Sequence, residues 1–322
     1  MSLLKLRLSM VGTLALIIAV STLAFALIMS LMGTFDLISL AFTVIIFNLI
    51  QWLFAPYLID AMYSTHEISR SENPRLYGIV ERLSSKASLK MPKLMLANIP
   101  IPNAFAYGSP ISGSRVAVTK GLLNELEEEE VEAVIGHELG HLKHKDVQIM
   151  MFVSVLPAIF YFIGYSMMMS AQFGIERRRE GGGAIPVLVG LVSMVIYWIL
   201  TLFALSLSRL REYYADRHSA SIVDEGPRKL SEALAKIVSS NAKIKRDRRE
   251  VSRMSSFKTL FIEDPDRAES DAVKIAQARS FRTDQELVRE VMSRKISTVD
   301  RVLELLSSHP NIVKRLKALQ QI

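Results

Sequence analysis

The sequence predicts a mainly α-helical membrane protein, with about four transmembrane helices and a globular domain that contains a small antiparallel sheet. Half of its 322 residues are hydrophobic although 22% are charged, and the apolar residues are gathered into four long runs. A transmembrane helix needs about 20 consecutive apolar residues, and each of the four runs meets that length. Apolar blocks that alternate with charged blocks therefore indicate segments in a bilayer joined by segments in water.

The first two runs predict an N-terminal transmembrane hairpin over residues 1–60. Lys5 and Arg7 precede an uncharged segment at residues 9–33, which is longer than the apolar core of a cleavable signal peptide. A second apolar segment, residues 37–59, follows almost at once. Two such segments in close succession indicate an uncleaved hairpin that anchors the chain.

Residues 61–146 predict the first part of a globular domain. An amphipathic helix begins at Asn73-Pro74, where a capping residue precedes a proline and apolar residues recur at helical spacing. Lys93–Ala97 and Arg115–Thr119 are typical of short strands, and Asn103–Gly108 lies between them among turn residues. We therefore expect a small antiparallel sheet ahead of the next helix.

That next helix carries the pattern H-E-x-x-H, formed by His137, Glu138 and His141. Positions i and i+4 share one face of a helix, so the two imidazoles can bind one metal ion. Glu138 lies where a carboxylate can take a proton from water, which is the arrangement of zinc peptidases. Because the chain contains no cysteine, any zinc ligand must be His, Asp or Glu.

An acidic run at residues 127–130 precedes this motif. Negative side chains suit the first turn of a helix, where they complement the helix dipole and the free backbone N–H groups. Metal binding by the run is the alternative. We prefer the capping interpretation because solvated acidic first turns are common.

Residues 147–207 predict a second transmembrane hairpin, made of two apolar runs joined by the polar turn at residues 176–183. Residues 208–322 predict the second part of the globular domain. The two motif-bearing segments lie at the two ends of this hairpin, so they meet only if both ends emerge on one side of the membrane. The simplest topology places the globular domain and both termini in the cytoplasm of a multi-pass plasma-membrane protein.

A catalytic zinc site needs three protein ligands and an open position. Glu212 and Asp216 are four residues apart, so one can bind the metal while the other accepts a hydrogen bond from a ligand imidazole. Alternatively, both are surface charges that pair with Arg211 and Arg217. Asp146 is a weaker candidate for the third ligand, because it lies at the start of an apolar run.

These motifs together resemble the HtpX family of membrane-bound zinc metallopeptidases, which are relatives of the CAAX prenyl proteases. The likeness includes residues 134–141, the segment 211–216, Asn103 to Ala106, and His309-Pro310 with Arg315. It also includes the two N-terminal spans, so it runs through nearly the whole chain. Four separate motifs in the right order are more specific than one pentapeptide.

The resemblance implies a zincin-like (gluzincin) catalytic domain with one zinc ion per chain. It makes His137, His141 and Glu212 the zinc ligands and Glu138 the general base.

The resemblance also implies four supporting roles. Asp216 orients a histidine ligand, and Arg315 holds Glu212. Asn103 belongs to an edge strand to which a peptide substrate can add. His309 donates a hydrogen bond to the carbonyl or oxyanion. His309-Pro310 is equally the sequence of an ordinary helix N-terminus, so its role stays open here.

The function implied is that of an ATP-independent membrane endopeptidase that cleaves misfolded or damaged membrane proteins during stress. Its partners are then polypeptide substrates and the lipid bilayer. A narrower CAAX-type processing protease is one alternative, although four apolar runs favour the HtpX branch. A non-catalytic membrane scaffold is another. The net charge of +7 does not indicate nucleic-acid binding, because no stacking aromatic residues lie among the basic clusters.

Overall fold

The computed structural model describes residues 37–173, 184–244 and 283–322. Its contacts divide these residues into two compact units. The first unit is globular and comprises residues 53–147, 208–244 and 283–322. The second is helical and comprises residues 37–52, 148–173 and 184–207. All the residues with expected site roles belong to the first unit.

The elements up to the motif-bearing helix are α1 (Leu37–Tyr63), β1 (Thr65–Glu67), α2 (Pro74–Lys86), β2 (Lys93–Ala97), β3 (Ala104–Ser109), β4 (Gly113–Thr119), α3 (Lys120–Glu125) and α4 (Glu128–Lys143). They are followed by α5 (Asp146–Phe173), α6 (Ala184–Ile222), α7 (Gly226–Ile244), α8 (Asp284–Ser293), α9 (Thr298–Leu305) and α10 (Ile312–Leu319). The segments 174–183 and 245–282 lie outside the described residues.

The sheet has the strand order β1-β2-β4-β3 and is mixed. β1 runs antiparallel to β2, and β3 runs antiparallel to β4, but β2 and β4 are parallel with Lys93 opposite Arg115. The prediction of a purely antiparallel sheet is therefore wrong. The chain reverses between β2 and β3 and again in the β3–β4 hairpin, and β4 then inserts beside β2. β3 is left at the edge of the sheet.

Helix α2 confirms the predicted amphipathic pattern. The side chain of Asn73 accepts a hydrogen bond from the backbone N–H of Leu76 at 3.1 Å, which satisfies a donor left free by the first turn. Its apolar stripe is buried in the main core, where it packs with residues of α4, α7, α8 and α10. Leu230, Leu234 and Ile237 recur at the same helical spacing in the sequence, and they are buried in α7.

Asp60, near the end of α1, ties this helix to the edge of the sheet. Its carboxylate accepts hydrogen bonds from Thr65 Oγ1 at 2.6 Å and from the hydroxyl of Tyr107 at 2.7 Å. It also pairs with the guanidinium of Arg115. These contacts join α1, β3 and β4, so they fix the position of the edge strand.

The helical unit is held together by its own apolar contacts. Phe160, Ile163 and Leu200 are buried where α5 packs against α6. Gly164 and Gly190 let the two helices approach, because a Cβ on either would meet atoms of the other helix at 3.0 to 3.4 Å. Many large apolar side chains on the outer surfaces remain exposed, as in helices that face lipid.

Within the described residues, two helices are long and apolar enough to cross a membrane, over Asp146–Met168 and Ile185–Ile222. The first apolar run, residues 9–33, lies outside the described residues, and residues 37–59 form most of α1. Four crossings therefore stay a prediction. At 1.5 Å per residue, the 39 residues of α6 span about 58 Å. That is about twice the hydrocarbon thickness of a bilayer, so the helix is longer than a single crossing needs.

Candidate metal centre

The acidic run before α4 serves as a helix cap. The backbone N–H of Glu127 donates to the carboxylate of Glu130 at 2.8 Å, and the side chain of Glu127 accepts from the third residue of the helix. Glu130 also pairs with Lys236 of α7 at 2.8 Å. This reciprocal arrangement is a capping box, so the structure confirms the capping interpretation.

Small residues bring α4 and α6 close together. A Cβ on Gly136 would lie 2.9 Å from the hydroxyl oxygen of Ser219, and one on Gly140 would lie 3.0 Å from the Cα of Ala215. The hydroxyl of Ser219 donates to the carbonyl of Ala133 at 2.6 Å across the same interface. Two glycines one turn apart on α4 thus face small residues of α6, which allows close helix packing.

This packing brings three candidate ligands together. His137 Nε2 lies 3.1 Å from His141 Nε2, and the two carboxylate oxygens of Glu212 lie 3.7 Å and 3.4 Å from these nitrogens. One ligand atom from each residue falls within 4.8 Å of the others. His137 and Glu212 are buried, whereas His141 is partly exposed. The group therefore has one side towards solvent.

The far nitrogen of each imidazole faces a carboxylate. His137 Nδ1 lies 2.9 Å from Asp216 Oδ1, and His141 Nδ1 lies 2.7 Å from Asp146 Oδ2. A carboxylate accepts hydrogen bonds, so it suits the tautomer in which Nδ1 carries the proton and Nε2 offers its lone pair to a metal. The two Nε2 atoms and the carboxylate of Glu212 then face one another as three possible ligands of one metal ion. The donor set of two imidazoles and one carboxylate suits zinc.

Two buried arginines balance the carboxylates. Arg315 contacts Glu212 Oε2 at 3.0 Å and Asp216 at 2.6 and 3.0 Å. Arg211 pairs with Asp146 and also donates to the carbonyl of His144 at 3.0 Å. Glu212 and Asp216 are only 5% and 2% exposed, so the alternative that they are surface charges is wrong.

Glu138 is buried beside the ligands. Burial raises the pKa of its carboxyl group, while the imidazoles of His141 and His137 and a backbone hydrogen bond from Ala106 act in the opposite direction. Ala106 belongs to the edge strand β3. The carboxylate therefore contacts both the ligand helix and the free edge of the sheet.

His309 lies beside this group, and Asn103 lies immediately before the edge strand β3. His309 Nε2 lies 3.8 Å from Glu212 Oε1, and its Nδ1 lies 3.0 Å from the hydroxyl of Ser308. The same segment also starts a helix, because Asn311 caps α10 through the N–H of Val313. Asn103 is buried just before β3, and its backbone N–H donates to the hydroxyl of Thr119 on β4.

Sequence reasoning missed the roles of Asp146, Arg211 and the two glycines. Asp146 was weighed only as a ligand, but the structure places it against the outer nitrogen of His141. Lys145 adopts a left-handed backbone conformation with φ of 54°, which turns the chain sharply between α4 and α5. A carboxylate five residues after the second histidine was the available signal. For Gly136 and Gly140, the available signal was a pair of small residues one turn apart, a pattern that favours close helix packing.

Comparison with known proteins assigns the family. Residues 70–322 match the sequence model described as Peptidase family M48. That match spans most of the chain. The chain belongs to peptidase family M48. This M48 chain is similar to "Protease HtpX homolog" of Thermoplasma acidophilum, with 34% identity over 100% of this chain and 99% of the relative.

Further similarities agree with the M48 assignment. "Protease HtpX homolog 2" of Sulfurisphaera tokodaii is 36% identical over 99% of this chain and 97% of the relative. The crystal structure of S. mikatae Ste24p matches with a TM-score of 0.55 and 16% identity, covering 98% of this chain and 67% of that one. The second likeness concerns the fold alone. The HtpX resemblance expected from the motifs is confirmed.

Proposed function

We propose that the chain is a zinc-dependent membrane endopeptidase whose metal is held by His137, His141 and Glu212. The observation that carries this proposal is the facing pair of Nε2 atoms, 3.1 Å apart, with each Nδ1 against a carboxylate. Together with Glu212, this pair offers three ligand atoms that lie within 4.8 Å of one another. Membership of a peptidase family supplies the reaction class.

Zinc bound there would act as a Lewis acid towards the scissile carbonyl and would lower the pKa of a water molecule to about 7. Glu138 takes the proton of the attacking water and passes it to the leaving amine. Burial of Glu138 raises the pKa of its carboxyl group, which makes the carboxylate a stronger proton acceptor. His309 donates a hydrogen bond to the developing oxyanion.

The edge strand β3 is proposed to bind the substrate backbone. A peptide that adds to β3 as a further strand is fixed by main-chain hydrogen bonds. The contact between Ala106 and Glu138 supports this placement, because it links the edge of the sheet to the general base. Asn103 precedes β3 and serves as a substrate-side residue. Recognition of the backbone suits broad cleavage of misfolded or damaged membrane proteins better than a narrow processing role.

The proposed topology follows from the two ligand helices. α5 and α6 cross the bilayer as the second hairpin, residues 147–207, and return the chain to the side on which α4 lies. Residues 61–146 and 208–322 then form one catalytic domain in the cytoplasm, and residues 1–60 form the N-terminal anchor.

The direct test compares Glu138→Gln with Glu132→Gln, a carboxyl on the same helix that pairs with Arg82 at 2.9 Å. The full chain is purified in detergent, its zinc is measured by mass spectrometry, and casein cleavage is followed with and without chelator. Glu138→Gln should keep its zinc and lose activity by about 10²–10⁴-fold, as loss of a general base does. The control should keep both. Unchanged cleavage in Glu138→Gln, or a fully active chain without zinc, would contradict the proposal.

A further inference from the structure

Helix α9 exposes the face that a soluble domain would bury. Val299, Val302, Leu303 and Leu306 recur at the spacing of a single helix face and form what we call the apolar stripe. These side chains are 40% to 66% exposed. The only buried residue of this described helix is Glu304.

In the two short helices on either side of α9 in the chain, α8 and α10, the apolar face points into the core. In α8 the apolar residues Leu287, Val288 and Val291 are buried, and the stripe of α10 is buried in the same core. All three helices are amphipathic, so the sequence pattern alone does not distinguish them. The difference is the direction in which the apolar face points.

The polar side of α9 is fixed inwards by specific contacts. Glu304 accepts a hydrogen bond from the backbone N–H of Asn311 at 3.1 Å and pairs with Lys314 Nζ at 2.5 Å. At the other end of the helix, Ser297 and Asp300 form a capping box. The outward direction of the stripe therefore follows from these polar contacts.

Arg209 fixes α9 close to the end of the apolar part of α6. Its Nη1 donates to the carbonyls of Glu304, Leu305 and Ser307 at 2.8, 3.3 and 2.7 Å. These carbonyls lie at and just beyond the C-terminus of α9, where a cation is favoured. Arg209 follows Leu207, the last apolar residue of the predicted span, by two positions, which is about 3 Å along a helix axis.

We propose that α9 is an interfacial helix that lies in the surface of the bilayer with its apolar stripe in the lipid. If α6 crosses the bilayer, its apolar part ends at the bilayer surface, and α9 beside that end can reach the lipid. The exposed cations Lys295 and Arg301 suit anionic headgroups. Four aliphatic side chains on a short helix are far fewer than the residues in a stable interface, which buries about 800 Å² per partner. A second copy of the chain is therefore a poorer fit than lipid.

Insertion of α9 would fix the distance between the metal centre and the membrane surface. The apolar stripe ends three residues before His309, so insertion of α9 holds this wall of the metal centre at the membrane surface. The inference depends on α6 entering the bilayer and is independent of the catalytic chemistry.

The test uses the natural absence of cysteine. Single variants Val302→Cys on the stripe and Arg301→Cys on the polar flank are labelled with a polarity-sensitive fluorophore. The full chain is reconstituted in phosphatidylcholine–phosphatidylglycerol vesicles, and quenching by shallow doxyl lipids is compared with quenching by aqueous iodide. Val195→Cys, on an exposed apolar position of α6, is the reference for lipid contact.

The label at position 302 should be blue-shifted, quenched by doxyl lipid and protected from iodide, whereas the label at position 301 should be quenched mainly by iodide. Iodide quenching at both positions would overturn the proposal, since the stripe would then face water. Protection of position 302 from both quenchers would also overturn it, because protein would then cover the stripe. A position-195 label that does not contact lipid would remove the basis of the inference while leaving the zinc chemistry untouched.

Discussion

The two helices that carry the candidate ligands are built in opposite ways. α4 is a capped helix within the globular unit, and its three reactive residues fall within five consecutive positions. α6 is a 39-residue helix that is apolar for its first half and contributes Glu212 and Asp216 from its charged half. The chemistry of α4 is thus local in sequence. The contribution of α6 depends on where a long helix ends up and on what packs against it.

Removal of a ligand from α4 should have the largest effect. His137→Ala deletes a buried nitrogen donor, so zinc affinity and casein cleavage should both fall by more than the 100-fold or so that loss of a supporting carboxylate can cost. His66→Ala is the matched control, because His66 lies on β1 and is exposed. Equal zinc binding by the two variants would show that α4 does not hold the metal.

Substitution of a supporting carboxylate should lower zinc affinity less than loss of a ligand does. The two substitutions also show which carboxylate contributes more to the site. Asp216→Asn and Asp146→Asn each replace the acceptor of a ligand Nδ1–H, so zinc affinity should fall by about 10–100-fold. Both aspartates pair with an arginine, but Asp216→Asn should be the worse, because its partner Arg315 also contacts the candidate ligand Glu212. Competition with a chelator measures the zinc affinity of both variants, and Asp224→Asn, at an exposed carboxylate, is the control. The reverse ranking would mean that Asp146 contributes more to the site than the α6 carboxylate.

The packing between the two helices can be broken without touching a ligand. A methyl group at Gly140 would lie 3.0 Å from the backbone of Ala215, so Gly140→Ala should destabilise the fold by about 1–3 kcal/mol and weaken zinc binding. Thermal unfolding in detergent measures the change.

Gly78→Ala supplies the control for that change. Gly78 lies in α2 with no atom within 4 Å of an added Cβ, so its substitution should be neutral or stabilising by up to about 1 kcal/mol. Similar destabilisation by both variants would mean that helix approach at Gly140 is not the cause.

The smallest expected effect concerns pH. His144, the C-cap of α4, packs on Tyr214 and His218 of α6. Burial, followed by the charges of His218 and Arg211, lowers the pKa of His144 to about 4. In the unfolded chain it titrates near 6.5. Between these values only the unfolded state binds the proton, so stability should fall as the pH drops from 6.5 to 4.

His144→Gln removes this titrating group, so its melting temperature should fall less over that range than that of the unaltered chain. Melting curves across pH 4 to 6.5 measure the difference. Parallel pH dependences would show that His144 does not contribute.

The sequence predicted α4 and the common face of its two histidines well, because the pattern is local. Helical spacing predicts which residues share a face, so His137 and His141 were readable from the pattern, as was the cap at residues 127–130. The amphipathic helices α2, α7 and α10 were readable for the same reason. Helices α8 and α9 were not predicted, because they follow a long charged segment and α9 exposes its apolar face.

What the sequence could not give was the arrangement of distant parts. The parallel pairing of β2 with β4 depends on the insertion of a strand after a hairpin, which leaves no local pattern. The role of Asp146 depends on a single left-handed residue, Lys145. The close approach of Gly140 to Ala215 joins residues far apart in the chain. Glu212 was identified through family resemblance, and spacing alone left it as a possible surface charge.

The central claim is that one metal ion is held jointly by α4 and α6. It is tested most directly by the zinc content of Glu212→Gln after dialysis against limiting zinc, beside the unaltered chain and Glu232→Gln, a buried carboxyl of α7 that pairs with Arg228. The unaltered chain and the control should each retain one zinc ion per chain, and Glu212→Gln should retain none. Full zinc occupancy in Glu212→Gln would show that the third ligand does not come from α6.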